Sequence, residues 1–216
     1  MDIPADTADP VVQGLKLQAK ACEAMGSAFS GHILERAAEA AASPGPLRAL
    51  FAQWEGVSLR GQIDDAVALR FLGALHDLAL GGEAPDLTAA YPGDGRAGDP
   101  ELAWRAAETL VRERPAFFKG FMAHEPQTNE TRRSIALIGG FLTVAAVTGL
   151  PLRLFELGAS AGLNQAWDRF HYEAAGQAWG DPASPVRLDT DWRGGPPPFA
   201  TPAAVVERAA CDRKPV

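Results

Sequence analysis

The sequence predicts an α/β protein, with a helical N-terminal region followed by the beginning of a doubly wound parallel sheet. Three observations predict it. Apolar residues recur at spacings of three and four from Leu15 to Met122. The run Leu152-Arg-Leu-Phe-Glu-Leu157 has strand length and leads through the small-residue loop Gly158–Gly162 into a helical pattern from Leu163. A second run, Val205–Cys211, reads as a short buried strand closed by Asp212. The division expected is a helical region over residues 1–123 and an incomplete α/β domain over 124–216.

In the helical region, Leu15, Ala19, Cys22, Gly26, Phe29 and Ile33 form one stripe, predicting a single amphipathic helix that fades by Ala42. Ser43-Pro-Gly-Pro46 breaks it. Leu47, Leu50, Phe51 and Trp54 make a short second helix. A third starts at the N-cap residue Ser58, carries Ile63, Val67, Phe71, Leu75 and Leu78, and stops at Gly81-Gly82. Tyr91–Pro100 is a loop rich in Gly, Pro and Asp. A fourth helix spans Glu101–Met122 and is divided by Pro115.

Beyond Gln127, Thr128 or Asn129 caps a helix running to about Val147 that is apolar on nearly all sides after Arg133, and so is expected to be covered. Ile135–Leu152 has no charged residue, but Gly139, Gly140 and Gly149-Leu-Pro151 interrupt it, which favours a buried helix and turn over a membrane span. After the loop and its helix, Val186–Trp192 alternates like a half-exposed strand. About two core strands are therefore written, too few to stabilise a parallel sheet alone. The sheet is expected to be truncated at its C-terminal side.

With 47% apolar and 22% charged residues, the composition is that of a soluble globular chain. A net charge of −7 argues against nucleic acid or an anionic membrane as partner and fits a small molecule. Cys22 and Cys211 form no disulfide or zinc spacing. Met1–Pro10 lacks the pattern of a signal peptide, so a cytoplasmic location is expected.

Glu156-x-Gly158-x-x-x-Gly162 carries the chemistry. A strand-to-helix turn exposes backbone N–H groups where the helix dipole favours an anion. Gly158 and Gly162 let the backbone approach a ligand, and Ala159, Ser160 and Ala161 add little bulk. Glu156 offers a carboxylate to an amine or hydroxyl, and Asp212, ending the next core strand, suits ribose hydroxyls. This combination resembles S-adenosylmethionine-dependent methyltransferases, a Rossmann-like fold. The same letters also allow a tightly packed turn with no ligand.

They spell Gly-x-Ser-x-Gly as well, the serine-hydrolase elbow, which needs an acid and then a histidine downstream of Ser160. Downstream the histidine is His171, and the acids Asp181, Asp189, Asp191 and Asp212 follow it, the wrong order for that fold. This is the weakest of the readings. His32, His76, His124 and His171 share no helical ligand spacing, so no metal is expected and each reads as a surface or capping histidine. Pro126–Arg133 either leans over the loop or caps a helix.

Gln127-Thr-Asn-Glu130, Phe155-Glu-Leu-Gly-Ala-Ser-Ala-Gly-Leu-Asn164, Trp167-Asp-Arg169 and Trp179-Gly-Asp-Pro182-x-Ser-Pro185 together resemble the bacterial domain of unknown function 2332 family. Leu75–Pro85 and Tyr91-Pro92 fit its N-terminal half. The resemblance implies an uncharacterised bacterial protein with a methyltransferase-like core behind a helical region, whose similar members continue past the position of Asp212. Glu156, Gly158, Ala159, Ser160, Gly162, Asn164 and Asp212 are the candidate S-adenosylmethionine contacts. A non-catalytic structural or interaction domain is the rival reading.

Overall fold

The computed structural model describes residues 9–93, 95–127 and 130–213. The chain divides into two compact units, Met1–Pro126 and Gln127–Val216.

The first unit is helical. Asp9 caps α1 (Pro10–Ala24), its carboxylate accepting the Val11 N–H at 2.9 Å. The single first helix expected from the stripe is two. Gly26 at φ +87° ends α1, and α2 (Ala28–Ala41) folds back on it. Both helices bury the same apolar stripe in one core, so the spacing runs on through a turn that periodicity does not register. Gly31 marks their contact, because a Cβ there would meet Glu23 Cγ at 2.6 Å and the Ala19 carbonyl at 3.1 Å.

Pro46 opens α3 (Pro46–Leu50), which a 3-10 turn over Ala52–Trp54 continues. Ser58 caps α4 (Leu59–Asp64) as expected, its hydroxyl accepting from Gly61 N–H at 3.2 Å. The third helix is nonetheless broken, since Ala66 turns left-handed (φ +51°) before α5 (Val67–Leu80). Polar contacts hold that break. Trp54 Nε1 donates to the Asp65 carboxylate (2.9 Å), while Arg70 donates to the Asp65 carbonyl (2.7 Å) and the Met122 carbonyl (3.1 Å). No local signal for a breaker exists at Asp65-Ala66; the tertiary bonds offset the strained φ.

A helix the sequence does not announce, α6 (Pro85–Ala90), precedes the expected loop. Then come α7 (Pro100–Glu113), capped by Asp99, and α8 (Pro115–Met122), separated at Pro115 as expected. Phe51, Phe71 and Phe118 are fully buried at the centre of the unit, with ring centroids 5.9 and 6.1 Å apart.

The second unit starts with a 3-10 turn at Thr131–Arg133 and α9 (Ser134–Thr148), which Gly149 terminates at φ +66°. The expected caps Thr128 and Asn129 lie outside the described residues. The expected all-round cover of this helix does not hold. Ile135, Ile138, Leu142 and Ala145 are buried, whereas Leu137, Val144 and Val147 are 46, 50 and 82% exposed. Aliphatic composition alone does not set burial; one face of α9 meets the core of its unit.

β1 (Leu152–Leu157) pairs in parallel with β5 (Val205–Cys211), with Leu157 opposite Cys211. A separate sheet contains β2 (His171–Ala174), β3 (Gln177–Trp179) and β4 (Arg187–Thr190) in the order β3-β2-β4. β2 and β3 form a hairpin whose turn, Ala175-Gly176, has positive φ at both residues (51° and 71°). This sheet has no counterpart in the sequence reading beyond the strand at Val186–Trp192. β5 is a strand as expected but not a buried one. Val205 and Arg208 are half-buried and its other residues are exposed. The architecture is mixed α/β with a helical N-terminal region and two small sheets, the parallel one with two strands.

The core of this unit is built on Trp167, which has no solvent exposure and stacks between Phe141 (4.8 Å) and Trp179 (5.3 Å). Tyr172 lies beside them, its hydroxyl donating to the Trp167 carbonyl at 2.9 Å and lying 3.0 Å from Ser134 Oγ. Burial pushes the Tyr172 phenol up to about 12.

Candidate functional site

The parallel pairing of β1 and β5 carries both strands to the same edge. Glu156 lies opposite Ala210 near the carboxyl end of β1, and Asp212 follows directly on β5. The loop that leaves β1 is anchored to the end of β5. The Gly158 and Ala159 N–H groups both donate to the Cys211 carbonyl, at 2.9 and 3.2 Å, and the Ser160 N–H donates to the Asp212 carboxylate at 2.7 Å. The Gly162 N–H closes a turn on the Ala159 carbonyl at 2.7 Å.

Positive φ accounts for the two glycines, though not for Ser160. Gly158 (+71°), Ser160 (+50°) and Gly162 (+67°) all turn left-handed. Packing does not require either glycine, because a Cβ at 158 or 162 would meet no atom within 4 Å. Ala159 is buried under the loop. The space beside the glycines is open, as a ligand-approach loop needs.

The expected helix after the loop is a 3-10 helix, Leu163–Arg169. Seven residues with 3-10 geometry give a weaker dipole than the full α-helix that the anion argument assumes. Two side chains tie this 3-10 helix to β5. Arg208 of β5 grips both Asp168 oxygens at 2.6 Å and donates to the Gln165 carbonyl at 2.9 Å. Gln165 in turn donates to the Ala209 carbonyl at 2.7 Å. Sequence reasoning missed Arg208 and Gln165, and strand alternation gives no signal for Arg208, which is half-buried three residues after the half-buried Val205.

Two acceptors in this region are buried and unpartnered, Glu156 Oε2 and Asn164 Oδ1. A buried carboxylate oxygen with no donor is unfavourable unless something supplies one. Of the sequence-predicted residues, Ser160 is joined to Asp212 and Gly162 to Ala159 by direct hydrogen bonds, Gly158 and Ala159 reach the end of β5 through the Cys211 carbonyl, and Glu156 and Asn164 flank the loop along the chain.

Ser160 has the positive φ of a nucleophile but not its partner, for its Oγ donates to the Gln127 side-chain oxygen at 2.7 Å. Gln127 thus leans over the loop, whereas Arg132 of the same segment donates to the Asp189 carbonyl instead. His171 is 5% exposed rather than a surface histidine, because β2 carries it inward, and its Nε2 lies 3.2 Å from Glu173 Oε1. Among the described residues no group of three or more His, Cys, Asp or Glu side chains could hold a metal ion, and no helix is long and apolar enough to cross a membrane.

A family model described as "Uncharacterized protein conserved in bacteria (DUF2332)" matches residues 13–216. No curated protein and no solved structure matches the chain.

Proposed function

The chain belongs to this uncharacterised bacterial family, and from that premise we propose that its second unit is a methyltransferase-like small-molecule-binding module whose ligand is S-adenosylmethionine. One observation carries the reading. Parallel pairing brings two acids, Glu156 and Asp212, and a glycine loop with open space beside it to one carboxyl edge. In this reading the unpaired Glu156 oxygen receives the ligand's ammonium group. Asp212 serves the ribose hydroxyls while keeping the Ser160 N–H, since a carboxylate has about four lone-pair sites. Backbone donors of Gly158–Gly162 take the methionine carboxylate, which requires the Gly158 and Ala159 N–H groups to leave the Cys211 carbonyl.

A second reading, a non-catalytic structural or interaction domain, is favoured by that same closure, because the loop amides already have partners inside the chain. Titration calorimetry with S-adenosylmethionine and S-adenosylhomocysteine separates the two. Saturable heat that disappears in Gly158→Val supports the first. Absence of heat at millimolar ligand on folded protein sinks it. A serine hydrolase built on Ser160 is not proposed, given the Gln127 partner of its hydroxyl.

A further inference from the structure

The two-stranded parallel sheet leaves one of its faces uncovered. Paired residues of parallel strands point to the same face, so Arg153 with Glu207, Phe155 with Ala209, and Leu157 with Cys211 form three rows on one side. All six residues are exposed, whereas Leu154, Glu156 and Arg208 on the other side are half-buried. Phe155 and Leu157 are 69 and 85% exposed, although both are large and apolar. Parallel sheets are ordinarily covered on both faces, and an exposed apolar patch on one marks a contact surface.

The distribution of side chains says what covers it. The larger member of each row, Arg153, Phe155 or Leu157, lies on β1, and the smaller, Glu207, Ala209 or Cys211, lies on β5. A second copy turned about a two-fold axis along the strands sets β1 of each chain over β5 of the other, at the same height. Phe155 then covers Ala209 of the second copy, and Leu157 covers Cys211 of the second copy. Large side chains facing small ones keep two sheets at their usual separation of about 10 Å.

Charge agrees with the same operation. Arg153 Nε lies 3.0 Å from Glu207 Oε2 within the chain. The axis along the strands sets each Arg153 over Glu207 of the other copy, giving an alternating quartet of two guanidinium and two carboxylate groups. An axis across the strands would instead set Arg153 on Leu157 and Phe155 on Phe155, with neither charge nor size matched. Six side chains are few beside the roughly 20–30 of a standard interface, so the association is weak and reversible.

We propose that this exposed face of β1 and β5 is a self-association surface, through which two copies of the chain form a two-fold dimer. The proposal is independent of the S-adenosylmethionine reading, and its test reads mass rather than ligand.

Sedimentation velocity on the full chain should show a monomer passing to a dimer between about 10 μM and about 1 mM, the span in which so small an interface dissociates. Arg153→Glu sets acid against acid and Glu207→Arg sets base against base, so either variant alone should associate roughly tenfold more weakly or worse. Mixed in equal amounts, the two variants should recover a dimer with one chain of each, because every facing pair is then opposite in charge. Ala209→Leu adds apolar surface but fills the space that Phe155 of the second copy needs, so it should weaken association. Non-specific sticking predicts the reverse. Val147→Glu, on the exposed side of α9, should leave the dimer unchanged. A chain that stays monomeric across the range overturns the proposal, as does a dimer insensitive to both charge reversals, strengthened by Ala209→Leu or lost in Val147→Glu. If a charge reversal fails to fold, Phe155→Lys decides, and a dimer that persists in it overturns the proposal equally.

Discussion

The Asp212 carboxylate accepts the Ser160 backbone N–H at 2.7 Å across 52 positions of sequence, and so ties the loop after β1 to the end of β5. A charged acceptor on a part-buried amide is among the stronger kinds of hydrogen bond. The residue proposed to meet a ligand's ribose therefore also holds the loop.

Asp212→Ala should destabilise the second unit by about 1–2 kcal/mol and speed hydrogen exchange at the Ser160 amide. Asp212→Asn keeps an acceptor oxygen and should lose less. Exchange mass spectrometry or NMR on the three proteins reads both effects, and an unchanged Ser160 rate in the alanine variant would contradict the tether.

Glu156→Gln should separate stability from binding. Its Oε2 is buried without a donor, so neutralising the side chain should leave stability unchanged or raise it, within about 1 kcal/mol. Binding of S-adenosylmethionine should fall about tenfold, because the amide lacks the charge that attracts an ammonium group. Urea denaturation and calorimetry together check the pair of outcomes.

Arg208→Lys keeps the charge and loses the fork. A lysine ammonium cannot bind both Asp168 oxygens while also reaching the Gln165 carbonyl, so the 3-10 helix should loosen at a cost of about 1–3 kcal/mol. Chemical denaturation measures it. A lysine variant as stable as the parent would mean the fork contributes nothing.

Trp167→Ala should cost about 3–5 kcal/mol by leaving a cavity between Phe141 and Trp179. Trp167→Phe should cost much less, because the indole N–H it removes has no partner. Thermal unfolding of both variants gives the comparison.

Alkaline pH should weaken both units. Burial pushes Tyr91 in the first unit and Tyr172 in the second up to about 12, from an ordinary value near 10.0. The folded state holds these protons more tightly than the unfolded chain does. Their stabilising share is therefore complete below pH 10 and is lost as pH rises from about 10 to about 12. Tyr91→Phe and Tyr172→Phe should each flatten part of that decline in denaturation midpoints measured from pH 9 to 12.

Much of the fold was legible. Pro46, Pro100 and Pro115 open helices, and Ser58 caps one. Gly149 ends another before Pro151, and the limits of β1 and β5 match their apolar runs. Each of these is a property of a few adjacent residues. The break at Ala66 was not legible, because the groups that hold the neighbouring Asp65 and Arg70 come from Trp54 and Met122. Burial was misjudged for α9 and β5, since composition states how apolar a segment is and not how many elements reach it.

For the candidate site, the sequence by itself determined the loop's residue types. Glycines at 158 and 162 permit the left-handed turns, small residues lie between them, and an acid precedes them. Tertiary structure decided what those residues do. It brought Asp212 onto the Ser160 amide, gave Gln127 the Ser160 hydroxyl, and left one Glu156 oxygen without a donor. The conformational freedom of a glycine is a property of that residue alone, whereas hydrogen-bond partners are fixed by which segments dozens of residues apart the fold brings together.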